Sequence, residues 1–202
     1  MAMQRINRRE WIGLFVVFAA LLLALLVWRF TPTLYYNIHT VIPGQAYRSA
    51  QLTDTALNEF IGVHRIRSIV NLRGVHDDEA WFQDEASTAA SRHVEMFNIS
   101  LPAHGMPSKA QLRQLYVALQ QAPRPVLVHC RQGADRSGLA SAILLMLSDK
   151  RDFAQAEGQT SWYYRAFAFD SVGKVVLQHF KHWADVKGLP ANRKSFQAWL
   201  AV

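Results

Sequence analysis

Residues 125–148 read PVLVHCRQGADRSGLASAILLMLS, and this order constrains the fold more than any other stretch of the chain. Residues 126–128 are all apolar with no polar alternation, the pattern of a short strand buried on both faces. The run from 138 onward is apolar around its whole circumference, so it reads as a buried helix. Between them lies a short polar turn that holds one glycine and the only cysteine among 202 residues. A doubly buried strand that turns directly into a buried helix belongs in an α/β layer, with helices over both faces of a mostly parallel sheet.

The rest of the chain supplies that layer. VIPGQAYRSAQ (41–51) is an extended piece around a Pro-Gly turn, and IRSIVNL (66–72) and VEMFNIS (94–100) read as strands. Thr53 or Asp54 can cap a short helix with Leu57, Phe60 and Ile61 on its apolar side. DDEAWFQDEASTAASRH (77–93) is helical and opens on acidic residues, which favour a helix N-terminus. Pro107 and Ser108 open another helix, with Leu112, Leu115, Val117 and Leu119 as its apolar positions. Residues 152–202 read as helical throughout, broken at Pro190. Core packing is the expected role of the aromatics in SWYYRAFAF (161–169).

Residues 11–28, WIGLFVVFAALLLALLVW, carry no charge. As a helix they would extend about 27 Å, close to the hydrocarbon thickness of a bilayer. A tryptophan stands at each end, as in interfacial aromatic belts. No small-residue cleavage site follows, so the segment reads as an uncleaved anchor and not as a signal peptide. The expected organisation is a short basic tail (1–10), a transmembrane anchor (11–30), a linker begun by the helix-breaking Pro32 (31–40), and one folded domain with a helical C-terminal part (41–202). Arg5, Arg8 and Arg9 precede the span and Arg29 follows it, which places the N-terminus in the cytoplasm. A bacterial inner membrane, with the domain in the periplasm, is the expected location.

The chain has 22 Lys and Arg against 15 Asp and Glu, a net charge of +7. Without basic blocks interleaved with aromatics, that excess argues against nucleic acid and for an anionic substrate or membrane surface. A lone cysteine excludes a disulfide framework and a multi-thiolate zinc site.

The turn itself, HCRQGADRS (129–137), has the makings of an anion site around a nucleophile. Gly133 lets the loop curl, so that backbone N–H groups of Arg131, Gln132, Gly133 and Ala134 converge on one anion. The helix starting near Arg136 adds its positive end. A thiol held there is expected to ionise below its ordinary pKa of about 8.5. Arg136, six positions after Cys130, can return its planar fork to two phosphate oxygens. Ser137 can donate to the sulfur, and His129 braces the loop through a backbone hydrogen bond.

His-Cys, five residues, Arg and Ser resembles the signature of the cysteine-dependent protein tyrosine and dual-specificity phosphatase superfamily. AYRSAQ (46–51) and IRSIVNLRG (66–74) resemble its small bacterial dual-specificity-like branch. The resemblance covers roughly residues 40–150 and implies that Cys130 attacks phosphorus, forms a phosphocysteine and is released by water, with no metal and no other cofactor. The superfamily usually carries an aspartate acid some thirty residues before the cysteine. Here FNISLPAHGMPSKAQ (97–111) has no Asp or Glu. Two replacements stand out: His104, in the expected loop, and Asp135, for which the inositide-lipid branch has a counterpart with a proposed acid role. Asp135 is the preferred acid, with a loop-bracing carboxylate as its alternative role.

Arg48 and Arg73 can bind a second anionic group, although structural ion pairs are the simpler reading, and Asp77, Asp78 and Glu79 read as a solvated helix start. The expected activity is therefore a membrane-anchored phosphatase acting on a phospholipid head group, such as phosphatidylglycerol phosphate, or on protein phosphotyrosine. A catalytically weak module that captures phosphorylated partners is the alternative from another class. A rhodanese-like or arsenate-reductase-like use of the cysteine loop is a third reading.

Overall fold

The computed structural model describes residues 8–148 and 152–202, without the side chains of 9, 10, 13 and 26–34. Arg5 and most of the tail read over 1–10 lie outside the described residues. Two compact units divide the chain, Met1–Tyr35 and Tyr36–Val202.

The first unit holds helix α1 (Arg8–Tyr36) except for its last residue. Its described apolar side chains, Phe15, Val17, Phe18, Leu21 and Leu23 among them, are exposed on every side of the helix, with no polar stripe. Among the described residues no helix is long and apolar enough to cross a membrane, so the transmembrane reading of 11–30 draws no support from them. Pro32 does not end the helix as expected, because the backbone stays helical to Tyr36. A proline removes one N–H and one ladder bond, which a long continuous helix can survive with a bend. The first part of the expected linker over 31–40 is therefore helical.

The second unit runs β1 (His39–Ile42), β2 (Ala46–Ser49), α2 (Asp54–His64), β3 (Ser68–Asn71), α3 (Ala80–Ser91), β4 (Glu95–Asn98), α4 (Lys109–Gln121) and β5 (Val126–His129). It continues through α5 (Asp135–Leu147), α6 (Phe153–Gly158), a 3-10 turn (Trp162–Tyr164), α7 (Val172–Val186) and α8 (Arg193–Ala201). The sheet order is β1-β2-β5-β3-β4. Only the β1–β2 hairpin is antiparallel; β2, β5, β3 and β4 run parallel. The expected α/β class with a mostly parallel, helix-flanked sheet is what the chain forms.

Strand alternation sorts the two cores. Val70, Val126 and Val128 face one cluster with Leu112, Leu139, Val176, Phe180 and Phe196 from α4, α5, α7 and α8. Tyr47, Ile69 and Leu127 face the other, with Leu57, Phe60 and Ile61 of α2 and Ala89 of α3. Every residue of β2, β3 and β5 is buried, while edge strand β4 is half open. Residues 137–146 of α5 are all buried, which is why that helix shows no polar face.

Local chemistry sets the helix starts. The Thr53 hydroxyl accepts from Ala56 N, and Ser108 with Gln111 forms a reciprocal capping box. Three expectations are corrected. Val117 is exposed and Tyr116 takes the buried position on α4. The tail is not helical throughout, because residues 165–171 and 187–192 are non-helical around αL residues Arg165 and Gly188. Trp162, Tyr163, Phe167 and Phe169 do not pack into the core; they stand 75%, 61%, 69% and 95% exposed.

Candidate active site

Strands β2, β5 and β3 end level with one another, since Ser49 and Asn71 both pair with His129. The segments that follow, Ala50-Gln51, Leu72-Arg73 and the loop from Cys130 to α5, therefore meet at the carboxyl edge of the parallel sheet, the usual ligand position in such layers. Two backbone bonds join them: Gln51 N donates to Arg131 O at 3.3 Å and Leu72 N to His129 O at 3.0 Å.

The loop carbonyls are held from behind. Besides the Gln51 bond, Asn37 Nδ2 donates to Gln132 O (3.2 Å) and Gly133 O (3.0 Å), and Arg48 donates through one terminal nitrogen to Gly133 O (2.8 Å) and Ala134 O (2.9 Å). In a trans peptide the next N–H points opposite to the carbonyl. Pinning these four carbonyls turns the N–H groups of Gln132, Gly133, Ala134 and Asp135 to the other side, where they can donate to an anion. Gly133 is required twice over. Its φ is +68°, and an added Cβ would lie 2.5 Å from Ala50 N.

Arg48 and Asn37, which do the pinning, were not identified as loop-holding residues from the sequence. Arg48 on β2 is fully buried. Its other terminal nitrogen donates to Gln159 O (2.7 Å) and Gln159 Oε1 (3.1 Å), and its guanidinium lies 4.2 Å from the Tyr164 ring centre. Burial pulls its pKa down to about 10, against the opposing pull of Cys130, Tyr164 and Asp135, so it stays cationic at neutral pH. Asn37 is oriented in turn by His39, whose Nε2 lies 2.9 Å from Asn37 Oδ1. Burial, then Arg48 and Arg165, lower the His39 pKa to about 4. A neutral imidazole donates through Nε2 and leaves the Asn37 amide nitrogen for the loop.

Cys130 is a free, buried cysteine at the start of this loop. His129 is buried and its Nε2 bonds Glu85 Oε1 at 2.7 Å, so it ties β5 to α3 through a side chain and not through the expected backbone bond. Gln51 Nε2 donates to the other Glu85 oxygen. Burial pushes the Glu85 pKa up, but His129, Gln51 and Arg73 together hold it below the usual carboxylate value. Glu85 was missed too, though a signal existed: with Phe82 and Ala89 it completes the buried stripe of α3 at helical spacing.

Arg136, the second residue of α5, sends one terminal nitrogen to Leu72 O (3.3 Å) and Leu101 O (3.4 Å). Its Nε is buried and without a partner among the described residues, so the edge of the fork that includes Nε is left for a ligand. Asp135 begins α5 and keeps a buried Oδ1 that likewise has no partner. Ser137 departs from expectation. Its hydroxyl donates to Ser49 O at 3.4 Å, and no bond to the Cys130 sulfur is formed among the described residues. Strand β2 offers it a fixed carbonyl, which competes with the weakly accepting sulfur. The side chains of Arg131 and Gln132 are exposed, whereas Gly133 and Ala134 are buried.

His104 lies on the exposed loop before α4, its Nδ1 3.2 Å from Asp170 Oδ1. Gly105 N donates to Asp170 O at 2.8 Å and Val172 N to Ala103 O at 3.0 Å, so residues 168–172 line that loop. A carboxylate from 66 positions downstream thus lies beside His104. Arg73 is engaged locally, stacked on the Trp81 ring at 3.3 Å and donating to Gln51 Oε1 at 3.1 Å, with Glu79 at 3.7 Å. Glu79 therefore serves as a partner and is not merely part of a solvated helix start. Among the described residues, no group of three or more His, Cys, Asp or Glu side chains is placed to hold a metal ion.

A buried cysteine at the junction of strand and helix, followed by a loop whose carbonyls are pinned on one side, is an arrangement suited to binding an anion. Residues 43–170 match the family described as DSP-PTPase phosphatase fused to NAD+ Kinase, and the chain belongs to that dual-specificity phosphatase family. No curated protein matches it significantly. Solved structures share the fold at low identity. A mutant form of Tk-PTP is 21% identical, with a TM-score of 0.54 over 74% of this chain and 97% of that one. The catalytic core of the PP-IP phosphatase SIW14 from S. cerevisiae, bound to citrate, is 15% identical, with 0.55 over 75% and 93%. TpbA from P. aeruginosa is 20% identical, with 0.53 over 76% and 88%.

Proposed function

We propose that this chain is a membrane-anchored phosphatase that hydrolyses phosphate monoesters through a phosphocysteine on Cys130. The observation that carries the reading is the set of loop carbonyls held back by Gln51, Asn37 and Arg48, which turns consecutive N–H groups toward one anion beside the thiol. The Cys130 thiolate attacks phosphorus and the P–O ester bond breaks. The alcohol leaves with a proton from an acid, and water then cleaves the S–P bond and releases inorganic phosphate. Arg136 and the loop N–H groups bear the charge of the transferring group in both steps.

Asp135 is the acid we favour, since its Oδ1 is buried, unpartnered and next to Arg136; His104, braced by Asp170, is the rival. Full-length protein should turn over an aryl phosphate, whose leaving group departs without a proton. Failure there would sink the enzymatic reading and leave the phosphate-capture module. Asp135→Asn should then slow an alkyl phosphate at least about tenfold more than the aryl one, because general acid catalysis is typically worth 10²- to 10⁴-fold. The same split in His104→Gln instead would move the role to His104. Equal losses on both substrates in Asp135→Asn would reduce Asp135 to a loop brace.

The anchor reading rests on the uncharged residues 11–28 and on an α1 that is apolar on every side, unlike a helix built to dock one face on a core. With it we place the N-terminus in the cytoplasm and the domain in the periplasm of a bacterial cell, and favour a phosphorylated lipid head group over phosphotyrosine as substrate. A periplasm-active reporter fused after Val202 should work and a cytoplasm-only reporter should not. The reverse pattern would overturn the orientation.

A further inference from the structure

Trp162, Tyr163, Phe167 and Phe169 form the densest group of exposed aromatics in the second unit, four within eight residues. Their exposure is not the disorder of a loose loop, because the backbone beneath them is fastened at successive carbonyls. Asn37 Nδ2 donates to Tyr164 O at 3.0 Å. Lys174 Nζ donates to Ala166 O (2.7 Å) and Ala168 O (2.9 Å), and Gly105 N to Asp170 O. Ala166, fully buried, is the one side chain of the segment that enters the core. The loop thus turns Ala166 inward, lays the Tyr164 ring against Arg48, and holds its other four aromatics out in water, which costs free energy unless something covers them.

We propose that residues 162–169 are an interfacial docking loop, whose aromatics sit in the headgroup boundary of a lipid bilayer and hold the Cys130 loop at the membrane surface. The residue types suit this partner: Trp and Tyr combine an apolar ring with a polar tip, and exposed Arg165 between them suits anionic headgroups. The covalent path suits it as well. The chain leaves the uncharged stretch at Trp28 and reaches Asn37 nine residues later. Asn37 is the residue that bonds both Tyr164 O of the aromatic loop and the carbonyls of the phosphate-binding loop. A bilayer entered by residues 11–28 is therefore tethered, by a few residues, to the loop that displays the aromatics. The inference rests on the anchor reading, and the experiment separates the two.

Full-length protein in the Cys130→Ser background, which removes the only cysteine, is given one new cysteine, Phe169→Cys or the control Val63→Cys. Val63 is 68% exposed on α2. Each is labelled with an environment-sensitive fluorophore and reconstituted in phosphatidylcholine–phosphatidylglycerol vesicles containing nitroxide lipids. The probe at 169 should shift to the blue and be quenched at least about twofold more than the probe at 63, as interfacial burial requires. A probe at 169 as wet as the control, in protein that resists carbonate extraction, would overturn the docking loop and leave the anchor standing. Protein stripped by carbonate would overturn the anchor and this inference with it. In the native-cysteine chain, Trp162→Ser with Phe167→Ser and Phe169→Ser should lower kcat/KM on a vesicle-borne phosphomonoester about tenfold more than on a soluble aryl phosphate, since interfacial binding scales with buried apolar area. Equal losses on the two substrates would count against docking, because they would mark a loop that only supports the site.

Discussion

Cys130→Ser is expected to lower aryl phosphate turnover by on the order of 10⁴-fold or more, the scale seen when a covalent nucleophile is removed. The fold should not move. Cys130 is buried among Leu139, Ala140 and Val128, and serine is no larger. The loop conformation is fixed by Gln51, Asn37 and Arg48, none of which bonds the sulfur. A phosphate analogue such as vanadate or tungstate should therefore still protect the variant against thermal unfolding, because the N–H groups that hold it belong to the backbone. The expected result is a dissociation between binding and turnover. Residual activity within about tenfold of wild type would place the nucleophile elsewhere, since a serine hydroxyl is a poor nucleophile without a base to activate it. Loss of both binding and turnover would show that the thiol also organises the loop, contrary to the bonds described above.

What the sequence made legible was the part whose chemistry is local. The strand at 126–129, the glycine turn and the buried α5 each have a composition that admits one reading, and Thr53 and Ser108 cap where their hydroxyls predict. What stayed hidden depends on contacts far along the chain. A charged residue in a short strand reads as exposed, yet Arg48 is fully buried, because Gln159 and the loop, 85 to 111 positions away, supply four hydrogen bonds. That set offsets a desolvation penalty that would otherwise be several kcal/mol. Asn37 looked like linker, and its role requires the αL conformation (φ 50°) just after α1, which no spacing rule encodes. Asp170 reaches His104 only because residues 168–172 fold back on the loop before α4. Residue type alone points the aromatics of 162–169 to the core, and type does not distinguish a packed ring from an exposed one.

Arg136→Lys should be nearly as damaging as Arg136→Ala, each lowering kcat by about 10³-fold, within the range found for arginines that meet a transferring phosphoryl group. The reason lies in how the side chain is held. One terminal nitrogen already donates to Leu72 O and Leu101 O, which fixes the plane of the guanidinium, and the buried Nε has no partner among the described residues. One edge of the fork anchors the residue while the edge that includes Nε is free to meet phosphate oxygens. Lysine has a single point of donation on a flexible stem. An ammonium placed at Leu72 O and Leu101 O leaves the phosphate, and one placed on the phosphate leaves Leu101 O without the Arg136 donor and Leu72 O with the Leu101 N–H alone. Keeping the positive charge therefore cannot keep both functions. The loss should appear mainly in kcat, because the fork is most needed as the phosphoryl group becomes planar and its charge spreads over equatorial oxygens. If Arg136→Lys kept kcat within about tenfold of wild type, charge alone would suffice and the role assigned to the fork would be wrong.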